Sequence, residues 1–219
     1  MEISEKTTEV EEIKLDEHIE FETKYRVDGN LVYEFKKLVE TISEPSKFTY
    51  VQGPDFYFTK PDDSFLRYRK ADNEKRAEVT MKEKPTGARH NIKRKEVNWR
   101  VDGTKYETIY EGAMMQGYKY NFKIRKMCHI YNFKDVTLVF YTVEDDSGKL
   151  NHFIEIELDE ESIHTLTEDQ AWDRIRKYET ILSPLGITHR NRLTKSLFEM
   201  YKKDIHENRN SEIQPNAIV

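Results

Sequence analysis

The feature that most constrains this chain is a series of short segments in which apolar and charged residues alternate. The first runs from His18 to Val27, and alternation with a period of two is typical of a β-strand with one apolar face and one polar face. Further segments of this kind cover residues 47–51, 55–60, 64–70, 76–84, 92–101, 119–130, 135–144 and 151–158. Because turns of hairpin length separate consecutive segments, the pattern predicts an antiparallel sheet.

Three segments are typical of helices. Apolar residues recur at helical spacing from Leu31 to Ile42, and Thr167-Glu168-Asp169-Gln170 has the form of a capping box that opens a helix. Pro184-Leu185-Gly186 ends that helix, and a last helix is predicted over about 191–205. About eight strands are enough to close a barrel. The predicted fold is therefore α+β, a closed eight-stranded antiparallel β-barrel, or tunnel, with flanking helices.

Charge divides the chain into a core domain and two tails. Residues 1–17 carry seven acidic residues against Lys6 and Lys14, which predicts a flexible acidic tail. We expect one domain over 18–207 and a second flexible tail over 208–219. Without residues 1–17 the chain has 34 basic and 34 acidic residues, and this balance argues against a broad nucleic-acid surface, so no DNA partner is expected.

The single cysteine and the lack of a long apolar stretch bear on where in the cell the protein is expected. Cys128 is the single cysteine, which excludes a disulfide within the chain and a zinc-finger spacing. No stretch approaches 18 consecutive apolar residues, and the acidic N-terminus is unlike a signal peptide. We therefore expect a soluble cytoplasmic protein without a membrane partner.

The charged positions of the strands include both signs on alternate residues. They are Glu20, Glu22, Lys24, Arg26, Arg67, Arg69, Glu78, Lys82, Lys84, Arg94, Glu96, Arg100, Lys123, Arg125, Glu155 and Glu157. In a half-exposed sheet these charges would simply face solvent. If the sheet closes with them inward, a ligand must offset the cost of removing them from water. A polyphosphate with Mg²⁺ or Mn²⁺ would do so, because Arg and Lys bind phosphate oxygens and carboxylates bind hard cations.

Seven short motifs resemble, in order, those of the CYTH family of triphosphate tunnel metalloenzymes. They are the E-x-E-x-K of 20–24, the R-x-R of 67–69, the K-x-K-P of 82–85, the R-x-E of 94–96, the K-x-R of 123–125, the E-x-E of 155–157 and the K-S of 195–196. The resemblance spans residues 18–201. It departs from the family pattern at Asn98, where a second Glu is frequent, and at Tyr141, where an Asp is usual.

The resemblance implies a role for each motif residue. It implies Mg²⁺ or Mn²⁺ held by Glu20, Glu22, Glu155 and Glu157, and catalytic roles for Glu20, Glu22, Lys24 and Glu96. It also implies phosphate binding by Arg67, Arg69, Lys82, Lys84, Arg94, Lys123, Arg125 and Lys195.

The activity expected from the resemblance is metal-dependent hydrolysis of inorganic tripolyphosphate or a nucleoside triphosphate. The partner is then a triphosphate-containing small molecule or the 5′ end of an RNA. An RNA 5′-triphosphatase, a class IV adenylate cyclase and a non-catalytic polyphosphate or nucleotide binder remain alternatives, because one fold can carry several chemistries.

Overall fold

The computed structural model of the protein describes residues 16–42, 47–82, 93–102 and 106–204, without the side chains of 16–20, 82, 93–95, 102 and 160–162. The predicted C-terminal tail and residues 1–15 of the predicted N-terminal tail lie outside these ranges. Asp16 and Glu17, which were assigned to the N-terminal tail, form the start of the first strand.

The described residues form eight strands and five α-helices. The strands are β1 (Asp16–Val27), β2 (Lys47–Thr59), β3 (Phe65–Arg69), β4 (Arg76–Lys82), β5 (Lys93–Asp102), β6 (Lys119–Asn132), β7 (Val136–Glu144) and β8 (Leu150–Leu158). The helices are α1 (Val32–Glu40), α2 (Tyr106–Met115), α3 (Glu160–Thr165), α4 (Glu168–Leu182) and α5 (Leu197–Tyr201). None of these helices is long and apolar enough to span a bilayer, as far as the described residues show.

Every strand pairing is antiparallel, and the order β1-β5-β4-β3-β2-β6-β7-β8 returns to β1. Strand β1 divides its length between two neighbours. Residues 16–21 pair with β5, and residues 22–27 pair with β8. Among the described residues, no residue of β1 therefore has both β5 and β8 as pairing partners. The eight-stranded antiparallel sheet with flanking helices is confirmed, whereas its full closure by hydrogen bonds stays a prediction.

The apolar residues on the outer face of the sheet pack under the helices. Helices α1 and α4 cover β1, β7 and β8 through a cluster that includes Phe35, Phe140, Ile154 and Tyr178, all at most 2% exposed. Helix α2 covers the outer side of β2, β3 and β4 through a second aromatic cluster. Burial of this outer face leaves the alternate residues of each strand facing the interior.

The short helix α5 packs against the interior face at one end of the sheet. Phe198 stacks on Phe65 at 4.4 Å between ring centroids, and Tyr57 stacks on Phe122 at the same distance. Ser196 caps the helix by accepting the Glu199 backbone N–H at 3.2 Å, while Glu199 accepts the Ser196 N–H at 2.7 Å. This end of the interior is consequently apolar.

Two secondary-structure predictions differ from the structure, and two helices, α2 and α3, were not predicted. Residues 47–59 form one strand rather than two, and Tyr106–Met115 is a helix for which no prediction was made. The last helix spans only five residues, because the segment before it pairs with β1: Tyr25 bridges Arg192, and the Leu193 N–H donates to the Lys24 carbonyl at 2.8 Å. The capping box at Thr167 is confirmed.

Candidate functional site

The interior face carries a pair of partly buried arginines, Arg67 and Arg69, on β3. Arg69 donates from Nε and Nη2 to the two carboxylate oxygens of Asp55, each at 2.7 Å, and Asp55 is fully buried. Burial alone would raise the pKa of Asp55, but the Arg69 guanidinium outweighs it and holds that pKa below the usual value. The pair therefore remains ionised and fixes the Arg69 side chain.

Arg67 begins a polar chain that crosses β3, β4 and β5. Its Nη2 donates to Glu78 at 3.0 Å and to Thr80 at 2.8 Å. The Thr80 hydroxyl donates to Asn98 at 2.6 Å, and Asn98 donates to Glu96 at 2.9 Å. The Arg67 Nε is buried without a hydrogen-bond partner in the described part of the chain. A buried guanidinium N–H of this kind favours an anionic acceptor, since an unmet donor is costly.

The carboxylates of the interior lie on β1 and β8 around Lys24. The Lys24 ammonium lies 3.1 Å from Glu22 and 2.5 Å from Glu155, and Lys24 is only 5% exposed. Glu155 also accepts the Tyr141 hydroxyl at 2.9 Å. Burial, and then the Glu155 charge, hold the pKa of Tyr141 well above its usual value, so the hydroxyl keeps its proton. Glu22 lies directly across from Glu157 in the strand register.

The structure separates Lys123 and Arg125 from the other site residues. Lys123 is opposite Phe56 of the outer aromatic cluster, and Arg125 contacts the exposed Asp72. The prediction that these two cations share a face with the carboxylates is wrong. Their neighbour Lys126 lies on the interior face instead, with its ammonium 4.1 Å from the centroid of the Tyr141 ring.

Of the five other predicted residues, the structure describes the side chain of one, Lys195. Lys195 is exposed just before the α5 cap, and it has no ion pair or hydrogen bond within the described ranges. The side chains of Glu20, Lys82 and Arg94 are outside the described set, although Glu20 pairs with Arg94 and Lys82 with Glu96 in the backbone register. Lys84 lies outside the described residues altogether.

The structure thus brings seven predicted residues to one face and adds three that were not assigned to the site. The seven are Glu22, Lys24, Arg67, Arg69, Glu96, Glu155 and Glu157. The three are Asp55, Glu78 and Lys126. Glu78 was among the alternating charged positions of the strands, but the motif resemblance gave it no role. Asp55 is a lone carboxylate in an apolar run, and such a residue usually has a buried partner.

Comparison with known proteins identifies the family. A sequence model of the CYTH domain matches residues 18–187, which is most of the chain. The chain belongs to the CYTH family. This assignment agrees with the charged interior face and the order of the motifs on it.

Solved structures share the fold of this CYTH chain. A conserved hypothetical protein of Pyrococcus furiosus is 23% identical, with a TM-score of 0.65, and the match covers 82% of this chain and 98% of that one. The PH1012 protein of Pyrococcus horikoshii OT3 is 24% identical, with a TM-score of 0.66 over 84% and 99%. A candidate adenylate cyclase of Vibrio parahaemolyticus is 18% identical, with a TM-score of 0.56 over 84% and 97%. Nothing among curated proteins matches the chain.

The interior carboxylates have the chemistry that a divalent ion requires. Mg²⁺ and Mn²⁺ prefer hard oxygen ligands. Like charges that face each other across two strands, as Glu22 and Glu157 do, favour a cation between them. Among the side chains that the structure describes, no three carboxylate, His or Cys groups are already arranged around one point. These carboxylate oxygens therefore fit a divalent metal ion. Two of the carboxylates, Glu22 and Glu155, are ion-paired with Lys24 in this structure.

Proposed function

We propose that this chain hydrolyses a triphosphate on its interior face with the help of a divalent metal ion. The observation that carries the proposal is the convergence of buried and partly buried cations and carboxylates on one face of the sheet. In a CYTH domain, whose enzymes use divalent ions, such a face suits a polyphosphate and its metal.

The cations of the interior would bind the phosphate oxygens. Arg67 and Arg69 are fixed by carboxylates behind them, so their remaining N–H groups need no reorganisation when an anion arrives. Arg67 offers its buried Nε, and Lys126 replaces Lys123 and Arg125 in this role. Lys82, Lys84 and Arg94 complete the proposed phosphate-binding set.

The carboxylates would hold the metal at the other side of the interior. Glu22 and Glu157 form the described core of this site, with Glu20 and Glu155 as the further proposed ligands. A bound divalent ion supplies neutralisation of the phosphate charge and a lowered pKa for an attacking water. Glu96, which is buried beside Arg67 at 4.0 Å, would help to orient the groups at the reacting phosphate. In hydrolysis, the oxygen of water would form a bond to the terminal phosphorus as the bond from that phosphorus to the bridging oxygen breaks, which yields orthophosphate and a diphosphate.

A bound triphosphate would also favour closure of the tunnel. Strand β1 carries Glu22 and Lys24 at the level where its pairing changes from β5 to β8. A ligand that contacts β1 on one side and β3 on the other would hold the ring together at this level, since it bridges the two sets of charges.

The test is a substrate panel with a matched variant. We expect purified protein with Mg²⁺ or Mn²⁺ to release orthophosphate from at least one of tripolyphosphate, ATP, GTP, thiamine triphosphate or 5′-triphosphate RNA. Glu22→Gln, which keeps the shape but removes the charge, should lower kcat by about 100-fold or more. Glu144→Gln, on the β7 residue that faces Arg125 across the register, should leave kcat unchanged.

The products distinguish the alternatives. Cyclic AMP with pyrophosphate from ATP would show a cyclase, in which the ribose hydroxyl replaces water. Selective cleavage of the RNA substrate would show an RNA 5′-triphosphatase. Tight triphosphate binding without turnover on any substrate would contradict hydrolysis and show a binding protein.

A further inference from the structure

The position of Lys24 is unusual for a residue beside a proposed metal site. Its ammonium lies between carboxylates of two strands, 3.1 Å from Glu22 on its own strand and 2.5 Å from Glu155 on β8. The side chains are 6% exposed for Lys24, 11% for Glu22 and 12% for Glu155. Little of this ion-paired group is therefore exposed to water.

The same oxygens are those that a metal would need. Oε1 of Glu22 and Oε1 of Glu155 both contact the ammonium, and the Tyr141 hydroxyl donates to that Glu155 oxygen as well. A monovalent ammonium and a divalent ion compete for one small group of carboxylates, because the two cations repel each other in a poorly hydrated interior.

We propose that the Lys24 ammonium is an internal counterion that occupies the carboxylate group of the metal-free protein and that a divalent ion must displace. The inference rests on the proposed function, since it assumes that these carboxylates are the metal ligands. It adds that this chain's own lysine lowers the intrinsic metal affinity. Once displaced, the ammonium on its flexible four-carbon stem is available to the triphosphate. Metal and triphosphate would then bind with positive coupling.

The structure explains why such a lysine stabilises the metal-free state. Glu22, Glu155 and Glu157 lie on two paired strands, and without a cation their like charges would repel at short range. Lys24 sits directly opposite Glu155 in the register, so its ammonium reaches both flanking carboxylates without distortion of β1. The backbone at Lys24 is held in addition by the Leu193 N–H.

The test measures Mn²⁺ binding alone, without substrate. The protein is stripped with a chelator and titrated with Mn²⁺, and free Mn²⁺ is followed by electron paramagnetic resonance. We expect Lys24→Met to bind Mn²⁺ at least tenfold more tightly than the wild type. The variant should also gain more in melting temperature than the wild type at the same Mn²⁺ concentration.

Two control variants separate the charge from other effects. Tyr141→Phe removes a neutral donor from the same Glu155 oxygen and should change Mn²⁺ affinity by less than about threefold. Lys134→Met removes an exposed ammonium and should change nothing. If Lys24→Met does not fold, Lys24→Gln takes its place, since it keeps a donor without the charge.

The outcomes are decisive for the inference. Unchanged or weaker Mn²⁺ binding by the Lys24 variant overturns it, and so does the absence of Mn²⁺ binding by every form of the protein. Failure of the proposed function is a separate result, because a wild type that cleaves no triphosphate can still bind Mn²⁺ more weakly than the variant.

Discussion

At the scale of single residues, the buried ion pair between Asp55 and Arg69 should be a major source of stability. Asp55→Asn keeps the shape of the side chain but leaves the Arg69 guanidinium without its charge partner. We expect the free energy of unfolding to fall by about 3 kcal/mol, measured by urea denaturation. Asp72→Asn, which breaks an exposed pair with Arg125, should cost less than about 1 kcal/mol.

The same pair has a defined pH signature. Because the folded-state pKa of Asp55 is held below its ordinary value of 3.8, the pair stabilises the protein fully above about that pH. The stabilisation is lost as pH falls through the lowered pKa. The stability difference between wild type and Asp55→Asn should therefore be largest at neutral pH and shrink below pH 3.8. A difference that grows in acid would contradict the ionised pair.

At the scale of elements, one clamp holds the C-terminal segment against β1. Arg192 donates to both oxygens of Glu179 on α4, at 2.6 and 2.8 Å, and the Tyr25 hydroxyl donates to Glu179 at 2.6 Å. Arg192 also lies 4.4 Å over the Trp172 ring. The clamp joins α4, β1 and the segment beside Lys24, and so it connects the helical layer to the site.

Loss of the clamp should destabilise the whole fold. Arg192→Met leaves the buried Glu179 carboxylate with the Tyr25 hydroxyl as its remaining clamp partner, and we expect a loss of about 3 kcal/mol in unfolding free energy. Arg176→Met, which removes an exposed pair with Asp173 on the same helix, should cost less than about 1 kcal/mol. Equal losses in thermal or urea denaturation would show that the clamp contributes no more than a surface pair.

The faces of β2 and β6 show why part of the site escaped sequence reasoning. Gly53-Pro54 has the composition of a turn, yet it continues β2. Glycine is required at this position of the strand because a Cβ at Gly53 would lie 2.3 Å from the Lys70 carbonyl oxygen. Because of the turn-like composition, Asp55 was placed at a strand end. On β6, apolar Phe122 and Ile124 face the interior, where α5 fills one end with Phe198. Sequence reasoning assumed that apolar residues face away from a charged interior. This assumption assigned the two faces of β6 the wrong way round.

At the scale of the whole molecule, the strand series and the charged face follow from periodicity, because apolar and polar residues alternate over most of β1, β3, β4 and β8. The contribution of α5 could not be predicted in the same way. It is a long-range contact between the C-terminal segment and the interior, and no local pattern near Phe122 encodes it. Helix α2 did carry a local signal, since Tyr106, Ile109, Tyr110 and Ala113 recur at helical spacing.

The most direct test of the account compares two lysines that are three residues apart on β6. Tripolyphosphate affinity is measured by calorimetry, without a divalent ion so that no hydrolysis accompanies binding, for wild type, Lys126→Ala and Lys123→Ala. Because the Lys126 ammonium lies on the interior face and Lys123 on the outer face, Lys126→Ala should weaken binding by about tenfold or more. Lys123→Ala should change it by less than about twofold. Equal effects, or a larger effect at Lys123, would contradict a triphosphate site on the interior face.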